Sequence, residues 1–188
     1  MNQTKKRPLF HSTLVAMMAG ISFVIMYFDF PLPFLPPYLK IDFSEIPALI
    51  TAIVIGPAAG IMVELLKNIL HYIVKGSETG IPIGQMANFF AGSILVLGTS
   101  YIYRKNPSKK GLLWGLLFGS VMMTILMSLA NLYFILPFYE KFMGYTMTHA
   151  QRLTAVLVGV GPFNLIKGFI LTALIIPIYL SLKPRLKF

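Results

Sequence analysis

Apolar stretches of helix length, separated by Gly, Pro and charged residues, restrict the fold of this chain more than any other feature. The first, residues 9–28, contains no Asp, Glu, Lys or Arg and as a helix would cross about 30 Å of hydrocarbon. The chain is 56% hydrophobic and 12% charged, with a mean hydropathy of +0.76, whereas soluble domains are about 25% charged. The sequence therefore predicts an all-α integral membrane protein with a single domain.

Basic residues are concentrated at three places in the chain. Ten of the 16 Lys and Arg residues lie at 5–7, 104–110 and 183–187, and these clusters contain no acidic residue. Such clusters mark cytoplasmic segments, so an even number of crossings is expected between them, with both termini in the cytoplasm. They also explain the net charge of +10 without a nucleic-acid partner. The absence of cysteine excludes disulfides and thiolate chemistry.

The apolar segments and their breaks predict six transmembrane helices. Gly56-Pro57 separates the second from the third, and Ser44 is a candidate cap of the second helix, with Pro47 in its first turn. The second helix is short, at about 15 Å. The predicted helices are residues 9–28, 46–55, 58–74, 85–103, 111–134 and 153–182. The connections expected outside the cell are residues 29–44, 75–84 and 136–152.

The stretch of residues 29–47 combines prolines, aromatic residues and charges. It holds five of the 13 prolines, and Pro36-Pro37 disfavours helix before it, so residues 35–38 are expected to be extended. A connection of this length is usually functional or disordered, and its aromatic side chains argue against disorder. We expect an ordered first external loop that folds back on the helices as a lid or wall of a binding site.

One face of the third predicted helix is polar. Glu64, Lys67, Asn68 and His71 recur at spacings of three and four, which places them on one side of a helix. Charges at mid-membrane cost of order 2.5–3.5 kcal/mol each, so this polar stripe is expected to face protein or water. A Glu64–Lys67 pair that holds helices together and a ligand or coupling surface explain it equally well. A metal site is not favoured, because His71 has no second His or Cys at ligand spacing.

An outward-facing pocket is predicted in the outer half of the bundle, beneath the first loop. The polar residues expected to converge there are Asn88, Asn131, Asn164 and Lys167. Asn164 and Lys167 are three residues apart and share a helix face. The alternative for Lys167 is a side chain that snorkels to the outer surface. A distance of about 21 Å from residue 153 instead favours a ligand contact or an internal ion pair.

Ala16 and Gly20 form a small-xxx-small pair on the first predicted helix, where another helix backbone can approach closely. The spacing alone leaves open whether that helix belongs to another protein or to this chain.

Five motifs follow one another along the chain: PPYLKIDFSEIPALI, GPAAGIMVELLKNILHYI, IGQMANFFAG, MSLANLYFILPFY and GPFNLIKG. Together they resemble the riboflavin-specific substrate-binding component, or S component, of energy-coupling factor (ECF) vitamin transporters. The likeness covers nearly the whole chain. It implies six helices, with riboflavin captured from outside by the first loop and the outer ends of helices four to six.

The resemblance also implies how the vitamin is held. Asn side chains offer both donors and acceptors for the uracil-like edge of the ring. Asn, Lys and the backbone groups of Tyr38, Leu39 and Lys40 would serve the ribityl chain. Such a component is a binding protein rather than an enzyme, uses no cofactor, and joins a transmembrane coupling protein and two ATPases.

In this family, small-residue pairs on helix one form the docking face for the coupling protein, which favours docking at Ala16 and Gly20. The sequence contains no Walker motif or nucleophile elbow, as expected for a subunit whose energy comes from a partner. The competing hypothesis is a self-sufficient ion-coupled carrier with Glu64, Lys67 and His71 as a proton relay.

Overall fold

The computed structural model describes residues 6–36, 38–77 and 79–184. These ranges contain six helices, as the sequence predicts: α1 (Lys6–Tyr27), α2 (Glu45–Val54), α3 (Pro57–Lys75), α4 (Ile83–Lys105), α5 (Lys109–Met143) and α6 (His149–Leu182). Four of them, α1, α4, α5 and α6, are long and apolar enough to cross a membrane. The all-α membrane class is therefore confirmed. Lys5, Arg185 and Lys187 of the predicted basic clusters lie outside the described residues.

α2 and α3 are joined by a tight turn. Gly56 takes a φ of 143°, which strains any residue with a Cβ, and Pro57 opens α3 at a position where proline is tolerated. α2 has only 10 residues. Ser44 precedes α2 but makes no side-chain capping bond. Its hydroxyl bonds to Asp42 instead, so the predicted N-cap position of Ser44 is confirmed but the capping hydrogen bond is not made.

α5 and α6 each contain a π-helical segment followed by a proline. In α5 the segment is Asn131–Ile135 and the proline is Pro137; in α6 they are Ala155–Val160 and Pro162. Proline breaks a regular helix because it lacks an N–H and clashes with the preceding turn. After a π turn, however, each proline opens a new α-helical segment, where it is tolerated.

This arrangement makes the two helices longer than predicted. The expected outer loop at residues 136–152 is wrong, because only residues 144–148 connect α5 to α6. Gly144 ends α5 in a left-handed conformation with a φ of 72°. A capping box between Thr148 and Gln151 begins α6. Arg152 then bonds Glu140 through both carboxylate oxygens, at 2.6 and 2.9 Å, which ties the two helix ends together.

The first loop contains a short two-stranded sheet that the sequence did not predict. β1 (Phe30–Pro31) pairs antiparallel with β2 (Lys40–Ile41). Between them, the Leu39 N–H donates to the Pro36 carbonyl at 2.9 Å and closes a turn, so the expected extension of residues 35–38 is wrong. Pro37 lies outside the described residues. Prolines suit turns as well as extended chain, so composition did not distinguish the two.

The core lies between α4 and α5 and extends to α2 and α6. A Cβ on Gly98 would lie 2.7 Å from the Cα of Gly119, so the two backbones touch at small residues. Leu95, Leu112 and Leu116 are fully buried around this contact. The packed core occupies the part of the bundle next to Arg104, whose guanidinium lies near Gly56.

Candidate ligand-binding site

A cavity of about 580 Å³ lies at one end of the bundle, within the range of small-molecule sites. The C-terminal ends of α1 and α3, the N-terminal end of α4 and the last turns of α5 contribute to it, together with three connecting loops. Its lining residues are Met26, Asp29, Tyr38, Lys40, Asp42, His71, Lys75, Gly76, Ser77, Gly84, Gln85, Asn88, Leu136, Tyr139, Met143, Tyr145 and Met147.

The two sides of the cavity differ in chemistry. The side formed by α3 and α4 carries polar groups, namely His71, Lys75, Ser77, Gln85 and Asn88. The side formed by α5 and the loop after it carries large apolar and aromatic groups, namely Leu136, Tyr139, Met143, Tyr145 and Met147. A ligand that has one flat apolar part and one polar part matches this division.

The first loop contributes Tyr38 and charged groups at the rim. Burial and the neighbouring Tyr145 raise the pKa of the Tyr38 phenol, so Tyr38 presents a neutral hydroxyl at physiological pH. Asp29 lies between two lysines, 2.7 Å from the Lys75 Nζ and 3.8 Å from the Lys40 Nζ. These contacts join the first loop to the end of α3.

Five charged side chains lie together beneath the cavity: Asp42, Glu45, Glu64, Lys67 and Lys167. All five are buried, and we refer to them as the buried charge cluster. Lys167 Nζ lies 2.7 Å from Glu45 Oε1, and Lys67 Nζ lies 2.8 Å from Glu64 Oε2 and 3.6 Å from Glu45 Oε1. Removing one member of such a buried pair leaves an uncompensated charge, so the cluster depends on every member.

Asp42 joins the buried charge cluster to the cavity wall. Its Oδ2 lies 3.5 Å from Lys167 Nζ and accepts from the Asn88 amide at 3.3 Å, and Asp42 and Asn88 both line the cavity. Burial opposes ionisation of Asp42. The ammonium groups of Lys167 and Lys67 and the hydrogen bonds from Ser44 outweigh it and lower the Asp42 pKa to about 2. Asp42 is therefore ionised at physiological pH.

The polar stripe on α3 divides into two parts. Glu64 and Lys67 belong to the buried charge cluster, and the Asn68 amide donates to the Glu64 carbonyl at 2.8 Å and to Asn88 Oδ1 at 3.3 Å. These residues hold α2, α3, α4 and α6 together. His71, one turn further along α3, forms part of the cavity wall. The stripe therefore contains three residues that join helices and one residue of the cavity wall, His71.

Three of the predicted ligand-binding residues line the cavity, namely Tyr38, Lys40 and Asn88. The other four lie outside the lining set in the described part of the chain. Leu39 packs against the buried apolar cluster of Leu132, Leu136, Val156 and Val160. The amides of Asn131 and Asn164 are buried and each donates to a carbonyl one turn earlier, of Met127 and Val160. Lys167 is an internally paired lysine, and its 3% exposure shows that the snorkelling alternative is wrong.

The small residues of α1 lie away from the site. Ala16 is exposed, and a Cβ built on Gly20 would meet nothing within 4 Å. In the described part of the chain, therefore, no helix of this protein packs closely on Gly20.

Sequence reasoning missed several residues of the cavity wall and of the buried charge cluster. Asp42 of the wall and Glu45 of the cluster stand in the motif LKIDFSE, where their spacing of three was a usable signal. Gln85 stands in the motif IGQMANFFAG, where its local pattern does not mark it as a cavity residue. Tyr139 and Tyr145 lie in the segment that was expected to be an outer loop, and nothing in their local pattern marks them as cavity residues.

Comparison with known proteins defines the family. Residues 11–179 match the family model described as "ECF transporter, substrate-specific component". The chain belongs to this family. This substrate-specific component is 47% identical over 172 residues to the riboflavin transporter FmnP of Bacillus subtilis (strain 168), covering 91% of this chain and 90% of that protein.

A second relative and a solved structure agree with this assignment. The riboflavin transporter RibU of Staphylococcus aureus (strain TCH60) is 38% identical over 173 residues, covering 92% of this chain and 90% of that protein. A structure reported as "Structure and mechanism of the S component of a bacterial ECF transporter" superposes with a TM-score of 0.82 at 35% identity. It covers 96% of this chain and 99% of that chain. This substrate-specific component is therefore a membrane transport protein and not an enzyme.

Proposed function

We propose that this substrate-specific component captures riboflavin from outside the cell and mediates its uptake with an ATP-driven ECF coupling module. The observation that carries the proposal is the two-sided cavity, found in a chain whose named relatives transport riboflavin. Riboflavin combines a flat ring system with a polar ribityl chain. The whole chain is proposed to act as one membrane domain.

The chemistry of the cavity supports riboflavin as the ligand. Tyr139 and Tyr145 on the α5 side suit stacking against a flat ring. The buried amides of Asn131 and Asn164 each donate a hydrogen bond to their own helix. The bound ring is proposed to reach these amides, which would serve its edge as donor and acceptor. Lys167, which is paired with Asp42 of the cavity wall, would strengthen the polar interactions at the ring edge.

The charge distribution supports one orientation in the membrane. The end opposite to the cavity carries basic residues, including Arg104, Lys105, Lys109, Lys110 and Lys183. Lys and Arg concentrate on the cytoplasmic side of membrane proteins. We therefore assign the cavity to the outer face and both termini to the cytoplasm.

The face of α1 supports docking of a partner. Ala16 and Gly20 leave a shallow surface, and small residues allow close contact between membrane helices. A transmembrane coupling protein is proposed to pack here, with two ATPases attached to it on the cytoplasmic side.

Riboflavin binding is tested on the purified protein in detergent. Bound riboflavin should colour the preparation yellow, and titration of ligand-free protein should quench flavin fluorescence at a stoichiometry near one. Thiamine, which lacks the flavin ring, should not compete. A colourless protein that also failed to quench added riboflavin would contradict the substrate assignment and leave the family unchanged.

The energy source is tested in liposomes. We expect uptake of labelled riboflavin only when the coupling protein and both ATPases are present with ATP inside. Uptake by this chain alone, driven by a proton gradient, would instead establish the ion-coupled carrier.

A further inference from the structure

His71 lies in the cavity wall but takes no part in the buried charge cluster. We propose that His71 is a ligand-binding residue whose Nε2–H donates a hydrogen bond to a hydroxyl oxygen of the ribityl chain. This inference rests on the proposed function and adds a residue that recognises the ribityl chain of the ligand.

The hydrogen bonds of Gln85 fix the tautomer of His71. The Gln85 Nε2 lies 2.8 Å from the Gly76 carbonyl oxygen and 3.3 Å from His71 Nδ1. A carbonyl oxygen only accepts, so the amide nitrogen must face it. The second hydrogen of that nitrogen then points to His71 Nδ1, which must accept. A neutral imidazole that accepts at Nδ1 carries its proton on Nε2.

This Nε2–H is a donor that no described residue uses. His71 is 7% exposed, and its Nε2 is buried without a hydrogen-bond partner among the described residues. Buried polar groups in proteins are nearly always paired. His71 also belongs to the cavity wall, so a bound ligand that reaches the imidazole supplies the oxygen acceptor that this N–H lacks.

The position of His71 selects the part of the ligand. It lies on the polar side of the cavity, with Lys75, Gln85 and Asn88. A flat ring packed against the large apolar groups of α5, such as Leu136 and Met143, leaves the polar chain of riboflavin for the polar groups of α3 and α4. His71 therefore meets the chain and not the ring.

The decisive experiment compares two flavins. Lumiflavin has the same ring system as riboflavin, with a methyl group in place of the ribityl chain. We expect His71→Phe to weaken riboflavin binding by about tenfold, the loss typical of one buried hydrogen bond. Lumiflavin binding should stay within about twofold, because it lacks the acceptor. Unchanged riboflavin affinity, or equal losses for the two flavins, would overturn the proposal.

A matched control and a second variant complete the test. Tyr72→Phe removes a hydrogen bond at the neighbouring position, from the Tyr72 hydroxyl to the Gly80 carbonyl, and should leave both flavins unaffected. If His71→Phe does not fold, Gln85→Met removes the amide that orients the imidazole. It should weaken riboflavin more than lumiflavin, and an equal effect on both would overturn the proposal. Wild-type protein that bound neither flavin would instead contradict the proposed function itself.

Discussion

Lys167 connects α6 to α2 through a buried ion pair. Its ammonium lies 2.7 Å from Glu45 Oε1 and 3.5 Å from Asp42 Oδ2. We expect Lys167→Ala to destabilise the protein by about 3–5 kcal/mol, because both carboxylates lose a partner in a buried site. The same change should weaken riboflavin binding by about 1–3 kcal/mol. Thermal unfolding in detergent and flavin fluorescence titration measure the two effects.

Two further variants distinguish the loss of the buried ion pair from the loss of a lysine charge alone. Lys183→Ala removes an exposed lysine at the other end of α6 and should change neither property. Adding Glu45→Gln to Lys167→Ala should restore part of the lost stability, because one excess negative charge disappears from the buried charge cluster. Wild-type stability of Lys167→Ala would show that the pair does not support the fold, and unchanged affinity would remove Lys167 from the site.

Asn88 links the cavity wall to the residues below it. Its amide donates to Asp42 Oδ2 and its carbonyl accepts from Asn68, both at 3.3 Å. Asn88→Ala should weaken riboflavin binding by about tenfold, measured by fluorescence quenching. The control is Asn106→Ala, an exposed asparagine at the opposite end of α4. Equal affinities for the two variants would exclude Asn88 from ligand binding.

The contact between α4 and α5 depends on glycine at particular positions. A Cβ on Gly115 would lie 2.6 Å from the Thr99 carbonyl oxygen and 3.3 Å from two more of its backbone atoms. Backbone atoms cannot rotate away, so Gly115→Ala should force the helices apart. The expected loss is about 1–3 kcal/mol, seen as a lower unfolding temperature in detergent.

Gly20→Ala is the matched control for stability, because a Cβ there meets nothing within 4 Å. It should leave the unfolding temperature close to that of the wild type. If both variants unfolded alike, close packing at Gly115 would not be what stabilises the α4–α5 contact.

The presence of each helix could be predicted from the length of its apolar segment, whereas the ends of α5 and α6 could not. The predicted fifth helix ends at residue 134, before Pro137, and a proline inside a regular helix loses a hydrogen bond. The preceding π turn removes that conflict, and π turns have no reliable signature in a single sequence. Pro162 has the same geometry in α6. It lies within a long apolar segment, so the predicted sixth helix runs through this proline.

Residues near the site could be predicted from the sequence where a charged side chain in an apolar segment has a high free-energy cost. Lys167 and the polar stripe of α3 stood out because charges in a membrane need partners, and the structure pairs them. Tyr139 and Gln85 are uncharged, so no such cost marks them in the sequence. They line the cavity only because the C-terminal ends of α3 and α5 and the N-terminal end of α4 lie at the same level. That alignment is a property of the assembled bundle.

At the scale of the whole molecule, α1 is proposed to connect this protein to its partners. Ala16→Trp places a large side chain where the coupling protein is expected to approach. We predict loss of co-purification with the coupling protein and ATPases, with riboflavin affinity unchanged. Ile125→Trp adds the same bulk at an exposed position of α5 and should assemble normally. Normal assembly of Ala16→Trp would contradict docking on this face.

The short α2 has a consequence for the electrical properties of the membrane. α2 starts three residues after Asp42 in the cavity wall and ends next to the Gly56 turn near Arg104. Its 10 residues span about 15 Å, and Leu49 and Ala52 on this helix are buried in the packed core. Beneath the buried charge cluster, the bundle is therefore filled by a packed apolar core. The protein alone should act as an insulator: reconstituted in a planar bilayer under an applied voltage, it should carry no ionic current, with or without riboflavin.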